Sequence, residues 1–277
     1  MNLIANGCSF TAGVPQDKDH LKFMETKTNI GDFHCFGRTN STAWPYQIPG
    51  MNVYNIANGG TGNHRILRTT LALLDMVPQD FIDDSVFVIQ WSSVFRREFW
   101  TNIDTQIEIH DIDAYELVLP YSVTEEYDNQ SSVYDEVVSK ETLKILADHK
   151  FLATTLNQHI YDSMIALTTL THALENKGAR YLYTALQWNN LGLIDDYYLS
   201  PIPENHEFSP YIKALHNMVP MDNVLKSISN FLWDLDPETI NNDRKYYIKD
   251  DGHPNDEGNR LFANYVKEEL EKRNWLT

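Results

Sequence analysis

The sequence predicts a three-layer α/β domain, and three observations support this fold class. Short apolar runs typical of buried strands occur at residues 3–5, 52–57, 86–91 and 180–186. The segments that follow them carry apolar residues every three or four positions, as amphipathic helices do. Strands that alternate with helices favour a parallel sheet covered by helices on both faces.

The helices are predicted from their spacing and their ends. The longest has apolar residues at Leu152, Leu156, Ile160, Met164, Leu167, Leu170 and Leu174. Gly178 stands where a C-cap glycine would end it. An earlier helix carries Ile66, Leu67, Thr70, Leu71 and Leu74 and stops before Pro78. The last helix carries Leu261, Phe262, Tyr265, Val266 and Leu270, and we expect the ion pairs Glu268–Lys272 and Glu269–Arg273 on it.

We expect a single domain over residues 1–277, with insertions at about 14–43 and 98–150 that interrupt the strand and helix pattern. Residues 98–150 hold 13 Asp or Glu against 3 Lys, which is −10 of the chain's net charge of −17. Loops of this kind usually lie over the site at the strand ends. We therefore expect residues 98–150 to form a lid or edge over that site.

Composition excludes several classes of function. A net charge of −17 argues against a nucleic-acid partner, because the phosphate backbone requires a basic surface. We expect no signal peptide and no transmembrane segment, because no apolar run approaches about 18 residues. Two cysteines, Cys8 and Cys35, provide no disulfide framework and no CxxC pair for zinc, so we expect a reducing, cytoplasm-like compartment and no metal.

A first candidate site is Gly7-Cys8-Ser9-Phe10-Thr11, directly after the first strand. Open α/β sheets bind ligands at the carboxyl ends of their strands, and backbone N–H groups of such a turn can face an oxyanion. The alternative is a serine that only caps the turn. Cys8 could also be considered as a nucleophile, but its side chain should turn the other way, as a small buried residue.

A second candidate is Asp250-Asp251-Gly252-His253-Pro254, just before the last helix. A carboxylate three residues before a histidine can reach Nδ1 and leave Nε2 as a general base. Asn255 is then the predicted N-cap, with Asp256 and Glu257 in the first turn. Asp251 competes with Asp250 as the partner of the histidine, and a plain surface loop with an N-cap is the alternative.

A third candidate is the glycine-rich stretch 55–63, between the second strand and its helix. Glycines near a helix N-terminus can form a backbone cradle for an anion, although this one has neither the Walker pattern nor G-x-G-x-x-G. A simple flexible turn is the alternative. His64 could approach the site from this loop, but it has no acid partner at fixed spacing. All three candidates fall on one edge of the predicted sheet.

Taken together, the three blocks resemble the SGNH (GDSL-type) hydrolase superfamily, in a form similar to SGNH-like proteins of phages and bacteria. The residues 7–10 look like its nucleophile block, 55–60 like its oxyanion glycine block, and 250–254 with Gly258 like its D-x-x-H block. The resemblance implies an α/β/α sandwich around a five-stranded parallel sheet of the flavodoxin-like type. It also implies a triad of Ser9, His253 and Asp250 and an oxyanion hole that includes Ser9 and Gly60.

One block departs from the family. The family usually has G-x-N-D after the third strand, where this chain has Ile89-Gln90-Trp91-Ser92-Ser93. The asparagine of that block completes the oxyanion hole, and losing one such donor typically costs about 10²–10³ in rate. Asn63 is our candidate replacement, with a backbone N–H near Ser92 as the other.

The activity we expect is ester hydrolysis, as an esterase or deacylase acting on a small-molecule or carbohydrate ester, including O-acetyl groups, without a cofactor. Trp91, Ser92 and Arg96 are candidate substrate contacts, against a core role for the tryptophan and a surface salt bridge for the arginine. The rivals are an acyltransferase that uses the same triad and a non-catalytic binding or structural module, such as a virion component. The sequence leaves the oligomeric state open.

Overall fold

The structure is a computed structural model of the 277-residue chain. It describes residues 1–13, 24–30, 33–59, 61–92, 97–100, 116–119, 156–185, 210–236, 245–248 and 252–276. The described strands are β1 Asn2–Asn6, β2 Met24–Ile30, β3 Phe33–Thr39, β4 Asn52–Asn55, β5 Ser85–Trp91, β6 Arg97–Trp100, β7 Glu116–Leu119 and β8 Arg180–Ala185.

The described helices lie between and after these strands. They are α1 Ser9–Ala12, α2 Asn63–Met76, α3 Gln79–Asp83, α4 Leu156–Asn176, α5 Pro210–His216, α6 Ile228–Leu235 and α7 Asp256–Lys272. Short 3₁₀ turns occur at Trp44–Gln47 and Met221–Asn223. None of the helices in these described ranges is both long and apolar enough to cross a membrane.

The central sheet contains four parallel strands in the order β4-β1-β5-β8. The α/β class and the parallel sheet predicted from the sequence are therefore confirmed. The fifth strand of the expected sheet is not among the described strands of this sheet. Beside β8, the described residues form a parallel bridge between Tyr183 and Val224, supported by a 2.7 Å hydrogen bond from the Leu225 N–H to the Tyr183 carbonyl.

Helices pack on both faces of this sheet because alternate residues of each strand point to opposite sides. Ile4 and Phe87 face one side with residues of α2 and α4, including Ile66, Leu73, Leu167 and Leu170. Leu3, Ala5 and Val88 face the other side with residues of α6 and α7, including Ile228, Leu232, Phe262 and Val266. These apolar contacts make β1 a strand buried between two layers.

Two helix ends match the sequence expectations closely. Gly178 follows α4 with φ +65°, and the Gly178 and Ala179 N–H groups donate to the carbonyls of Glu175 and Leu174, which is a Schellman C-cap. Asn255 caps α7, and its side chain accepts a 2.9 Å hydrogen bond from the Gly258 N–H.

One of the two predicted ion pairs on α7 is formed. Arg273 Nη1 lies 2.6 Å from Glu269 Oε2, as expected. Lys272 pairs with Glu269 at 2.6 Å, three residues away, rather than with Glu268. Glu269 thus accepts both cations at the end of the helix.

The described parts of the two expected insertions are antiparallel strand pairs. β2 pairs with β3 within residues 14–43, and β6 pairs with β7 at the start of residues 98–150. Ile30 and Phe33 are buried against the α2 side of the sheet, and the Asn40 N–H donates to the Ala12 carbonyl at 2.7 Å. The first insertion therefore joins the sheet edge at which α1 lies. Most of residues 98–150 lies outside the described residues, so the expected lid stays a prediction.

Candidate functional site

Ser9 lies where the sequence analysis expects it, at the carboxyl end of the central strand β1. It begins the four-residue helix α1, and 8% of the side chain is exposed. The Cys8 carbonyl accepts hydrogen bonds from the N–H groups of Thr11 and Ala12 at 3.0 and 2.9 Å. We call residues 7–13 the serine turn. Because the turn is short and closed, it presents the Ser9 hydroxyl in one direction from the sheet edge.

Gly7 is required by close packing at the start of the serine turn. A Cβ at this position would lie 2.6 Å from Thr11 Oγ1 and 2.9 Å from Gln90 Cβ, closer than real Cβ atoms approach. The glycine lets β1 and β5 hold the turn between them. Cys8 is fully buried against the α7 side of the sheet, as its sequence position suggests.

Buried carboxamides from three neighbouring strands hold the serine turn. Asn6 Oδ1, at the end of β1, accepts from the Gly7 N–H at 2.8 Å. Asn55 Nδ2, at the end of β4, donates to the Thr11 carbonyl at 2.8 Å. Gln90 Oε1, on β5, accepts from Thr11 Oγ1 at 2.7 Å. The three side chains are at most 2% exposed, so these bonds are shielded from competing water.

Asn6 also ties the serine turn to α2. Its Nδ2 donates to Thr69 Oγ1 and Thr70 Oγ1, both at 2.8 Å, and to the Ile66 carbonyl at 3.2 Å. The side chain therefore contacts four groups without leaving the interior. Its removal would take the acceptor of the buried Gly7 N–H away, while Thr69 Oγ1 and Thr70 Oγ1 would keep their hydrogen bonds to carbonyls of α2.

His253 is positioned by backbone hydrogen bonds just before α7. The Ile248 N–H donates to the His253 carbonyl at 2.7 Å, and the Asn255 N–H donates to the Tyr246 carbonyl at 2.9 Å. A short antiparallel bridge joins Tyr247 to Pro254. We call residues 252–255 the histidine loop. Its backbone is held on one side by residues 245–248 and on the other by the capped helix.

Gly258 allows this arrangement on the first turn of α7. A Cβ there would collide with the Tyr246 carbonyl oxygen, and it would lie 3.2 Å from Leu232 Cδ1. The glycine therefore lets α7 approach the backbone of residues 245–248. This close approach fixes where the histidine loop meets the sheet edge.

The Ser9 hydroxyl and the His253 imidazole meet at this edge, although they are 244 positions apart in the chain. Ser9 Oγ and His253 Nε2 are 2.7 Å apart, which is hydrogen-bonding distance. The Phe10 ring packs against the imidazole with centroids 4.7 Å apart and an interplanar angle of 40°. Phe10 is 5% exposed, so it shields one face of the imidazole from solvent. The pair has the geometry in which an imidazole can take the proton of a nucleophilic hydroxyl.

The glycine-rich loop lies beside Ser9. A Cβ built on Gly59 would be 3.9 Å from Ser9 Cβ, and Thr61 Oγ1 donates to the Gly7 and Asn58 carbonyls at 3.2 and 2.9 Å. The loop leads into α2, whose N-cap Gly62 provides no side-chain cap. Gly60, the expected oxyanion donor, lies outside the described residues.

Asn63 begins α2 and is held on both sides of its amide. Its Oδ1 accepts from the Ser92 N–H at 2.7 Å, and its Nδ2 donates to Ser163 Oγ at 3.2 Å. Among the described residues, the second Nδ2 hydrogen has no acceptor. The amide therefore bridges β5 and α4 near the sheet edge, and a donation to a ligand at Ser9 stays a prediction.

The expected substrate contacts lie in different environments. Trp91 is fully buried in the α4 side of the core, with its ring 6.3 Å from that of Tyr183, so contact with a substrate would require the indole to leave the core. Ser92 is also fully buried, and its N–H orients Asn63. Arg96 lies outside the described residues.

The acid of the expected triad is not among the described residues either, since Asp250 and Asp251 both fall in the range 249–251. The choice between them stays a prediction. In the ranges that the structure describes, no group of three or more His, Cys, Asp or Glu side chains could hold a metal ion.

The sequence analysis missed the side chains that support the pair. Asn6, Asn55 and Gln90 hold the serine turn, and Phe10 packs on the imidazole. A usable indication was present, because a carboxamide at the end of an apolar strand must find a hydrogen-bond partner once it is buried.

Comparisons with known proteins give only distant structural likenesses. No protein-family model matches the chain, and no curated protein matches it. It is similar to the crystal structure of the YXIM protein from Bacillus subtilis, with 14% identity and a TM-score of 0.44, over 99% of this chain and 57% of YXIM. The chain thus spans little more than half of YXIM. A second crystal structure has 14% identity and a TM-score of 0.40, over 98% of this chain and 96% of its own.

Proposed function

We propose that the protein is a serine ester hydrolase, an esterase or deacylase of the SGNH type. The 2.7 Å approach of Ser9 Oγ and His253 Nε2 supports this proposal most directly. A chance contact between two polar side chains would be expected at an exposed surface, between residues that no other contacts hold in place. This pair instead joins a nearly buried serine at the end of the central strand to an imidazole on an anchored loop.

The reaction begins when Ser9 Oγ attacks the acyl carbon of the ester. His253 Nε2 accepts the serine proton and then delivers it to the leaving alkoxide, so that an acyl-enzyme forms. Water enters next, His253 removes its proton, and collapse of the second tetrahedral intermediate releases the acid and restores the serine. Asp250 is the proposed partner of the imidazole Nδ1, with Asp251 as the alternative.

The oxyanion of each intermediate needs donors close to Ser9. The backbone N–H groups of Ser9 and Gly60 are two of these in the proposal, and Asn63 Nδ2 is the third. Asn63 would replace the asparagine of the family's G-x-N-D block from a different position in the chain. In favour of this role, hydrogen bonds with Ser92 and Ser163 orient its amide, and one amide hydrogen has no acceptor among the described residues.

The finer fold assignment belongs to the same proposal. Numbered along the chain, the four described parallel strands have the order 2-1-3-4, which begins the flavodoxin-like order 2-1-3-4-5. The bridge at Val224 lies beside β8, where the fifth strand would pair.

The substrate in this proposal is a small-molecule or carbohydrate ester. The 13 acidic residues in 98–150 disfavour polyanionic substrates.

A fluorophosphonate probe tests the proposal, because it phosphonylates only activated serines. We expect one probe per chain, located at Ser9 by peptide mass spectrometry, and hydrolysis of p-nitrophenyl acetate that the probe abolishes. Ser9→Ala should remove both, and His253→Gln should lower the hydrolysis rate by at least about 10³-fold. Ser41→Ala is the matched control, since Ser41 is an exposed serine on a described loop, and it should react like the wild type.

A binding or structural module is the second candidate, favoured by the absence of the G-x-N-D asparagine from residues 89–93. It predicts a folded protein that neither takes up the probe nor hydrolyses the ester. Labelling that persists in Ser9→Ala would also contradict the hydrolase.

A further inference from the structure

Three buried carboxamides hold the serine turn, and Gln90 is the one that comes from β5. It lies in the stretch where the G-x-N-D block of the SGNH family would stand. We infer that Gln90 is a positioning residue for Ser9: through Thr11 it holds the turn that carries the nucleophile. This inference rests on the proposed function. It concerns how the hydroxyl is aimed, and it gives Gln90 no contact with the substrate.

The contacts of Gln90 bracket Ser9 in the chain. Its Oε1 accepts a 2.7 Å hydrogen bond from Thr11 Oγ1, two residues after Ser9, and lies 3.8 Å from Cys8 Sγ, the residue before it. The Gln90 backbone and Cβ also form the wall against which Gly7 packs. The Gln90 side chain thus contacts the serine turn on both sides of Ser9, at Cys8 and at Thr11. A change at Gln90 should therefore be transmitted to the Ser9 hydroxyl.

Gln90 lowers the stability of the fold relative to an apolar residue at the same position. It is fully buried on a strand whose neighbours Ile89 and Trp91 are apolar, and its Nε2 has no hydrogen-bond partner in the described structure. A buried amide with an unmade hydrogen bond destabilises the folded state. An apolar side chain of similar length would avoid that cost, so stability alone does not account for the glutamine. The acceptor that it supplies to Thr11 does.

The two partners can be removed together, and the weak Cys8 Sγ donor is then the contact of Gln90 Oε1 that loses its acceptor. Gln90→Met with Thr11→Val replaces an amide and a hydroxyl by apolar groups of similar shape, which can be neutral or stabilising. If Gln90 positions Ser9, this double variant should keep or raise Tm while the reactivity of Ser9 falls. A purely structural role predicts instead that reactivity and Tm change together.

The experiment measures the second-order rate constant for fluorophosphonate labelling at Ser9, kcat and KM for p-nitrophenyl acetate, and Tm. Small misplacements of a reacting group cost up to about 10²-fold. For the double variant we expect a 10- to 100-fold lower labelling rate, a similar fall in kcat, a KM within twofold of wild type and an unchanged or higher Tm. Thr11→Ser keeps the hydroxyl and should retain most of the labelling rate.

The matched control removes another buried hydroxyl pair. Thr171 Oγ1 and Tyr183 OH are 3.1 Å apart between α4 and β8, away from the serine turn. Thr171→Val with Tyr183→Phe should leave the labelling rate within twofold of wild type. A folded Gln90→Met/Thr11→Val protein that is labelled at the wild-type rate would overturn the inference while leaving the hydrolase intact.

Two further outcomes are distinguishable. If the double variant does not fold, Thr11→Val is compared with Thr11→Ser, and equal labelling of the two folded proteins overturns the inference. If wild-type protein is not labelled at Ser9, the proposed hydrolase fails, and the role of Gln90 fails with it.

Discussion

Ser9 is held by buried side chains from three strands, whereas His253 is held by backbone hydrogen bonds and by the cap of one helix. The carboxamides of Asn6, Asn55 and Gln90 come from segments that are far apart in the chain. The backbone and cap partners of the histidine loop lie within about ten residues of it, whereas the His253 side chain contacts Ser9 and Phe10. The position of Ser9 thus depends on the assembled sheet, while the backbone around His253 is held largely by local contacts.

This difference predicts that substitutions of similarly hydrogen-bonded residues change the free energy of unfolding by different amounts near Ser9 and near His253. Loss of the Asn6 side chain should affect the whole fold, because Asn6 joins β1 to α2 and is the acceptor of the buried Gly7 N–H. Loss of a side chain at the histidine loop should affect mainly α7 and the imidazole. Three substitutions test the contrast, in order of decreasing effect.

Asn6→Leu should have the largest effect on stability. The substitution removes the hydrogen bond from the Gly7 N–H and the three contacts shared by the two Nδ2 hydrogens, so that Gly7 and nearby threonine hydroxyls have fewer partners in the interior. We expect the free energy of unfolding to fall by about 2–4 kcal/mol, because unpaired buried groups cost about 1–3 kcal/mol each. Urea unfolding followed by circular dichroism measures it.

Asn52→Leu is the control for that substitution, at an exposed position on the neighbouring strand β4. It should change the free energy of unfolding by no more than about 0.5 kcal/mol. If Asn6→Leu and Asn52→Leu lower the free energy of unfolding equally, the role given to Asn6 is contradicted.

Asn255→Ala should have a smaller effect, confined to the histidine side. It removes the N-cap of α7 and the donation of Asn255 Nδ2 to the Lys245 carbonyl. We expect a loss of about 1–2 kcal/mol in the free energy of unfolding, typical of a lost cap. The labelling rate of Ser9 should also fall, since His253 lies two residues before the cap. Asn255→Asp keeps the capping oxygen, so a loss of stability as large as that of Asn255→Ala would argue against the cap.

Glu269→Gln should have the smallest effect, and the effect should depend on pH. Burial alone would raise the pKa of Glu269, but the hydrogen bonds from Lys272 and Arg273 outweigh it and lower the pKa below its usual value. The carboxylate therefore stabilises the fold above its unfolded-state pKa, and that contribution is lost as the pH falls through the folded-state pKa. At pH 7 we expect Glu269→Gln to cost less than about 1 kcal/mol.

The difference between Glu269→Gln and wild type should shrink below about pH 4.3, the usual value for glutamate. Thermal unfolding between pH 3 and 7 follows it. Glu268→Gln is the control on the same helix, and it should cost less, because Lys272 is bonded to Glu269 instead. A cost for Glu269→Gln that is independent of pH would contradict the linkage.

The same contrast explains what could be predicted from the sequence. The N-cap at Asn255 and the C-cap at Gly178 are local patterns, and both are confirmed. The four parallel strands follow from short apolar runs, and these are confirmed as well. On the site, the sequence pattern names Ser9 and His253, and the structure has them within hydrogen-bonding distance.

The other features of the fold and of the site depend on which strands and side chains become neighbours, and no local sequence pattern specifies that. The pairing of β2, METKTNI, with β3, FHCFGRT, is not specified by either sequence alone, although β2 alternates Met, Thr and Ile with Glu, Lys and Asn. The side chains that support Ser9 meet only because β4, β1 and β5 are neighbours, and strand order is a property of the whole sheet. Lys272 could reach either of two glutamates, and spacing alone did not decide between them.

The separation of 244 positions between Ser9 and His253 has a consequence for synthesis. A ribosome makes Ser9 well before His253, which emerges only after β4, β5 and β8 have been made. Any chemistry that needs both groups is therefore absent from every shortened translation product that stops before residue 253. The hydroxyl and the imidazole can meet only after the segment that carries α7 docks beside Leu3 and Ala5.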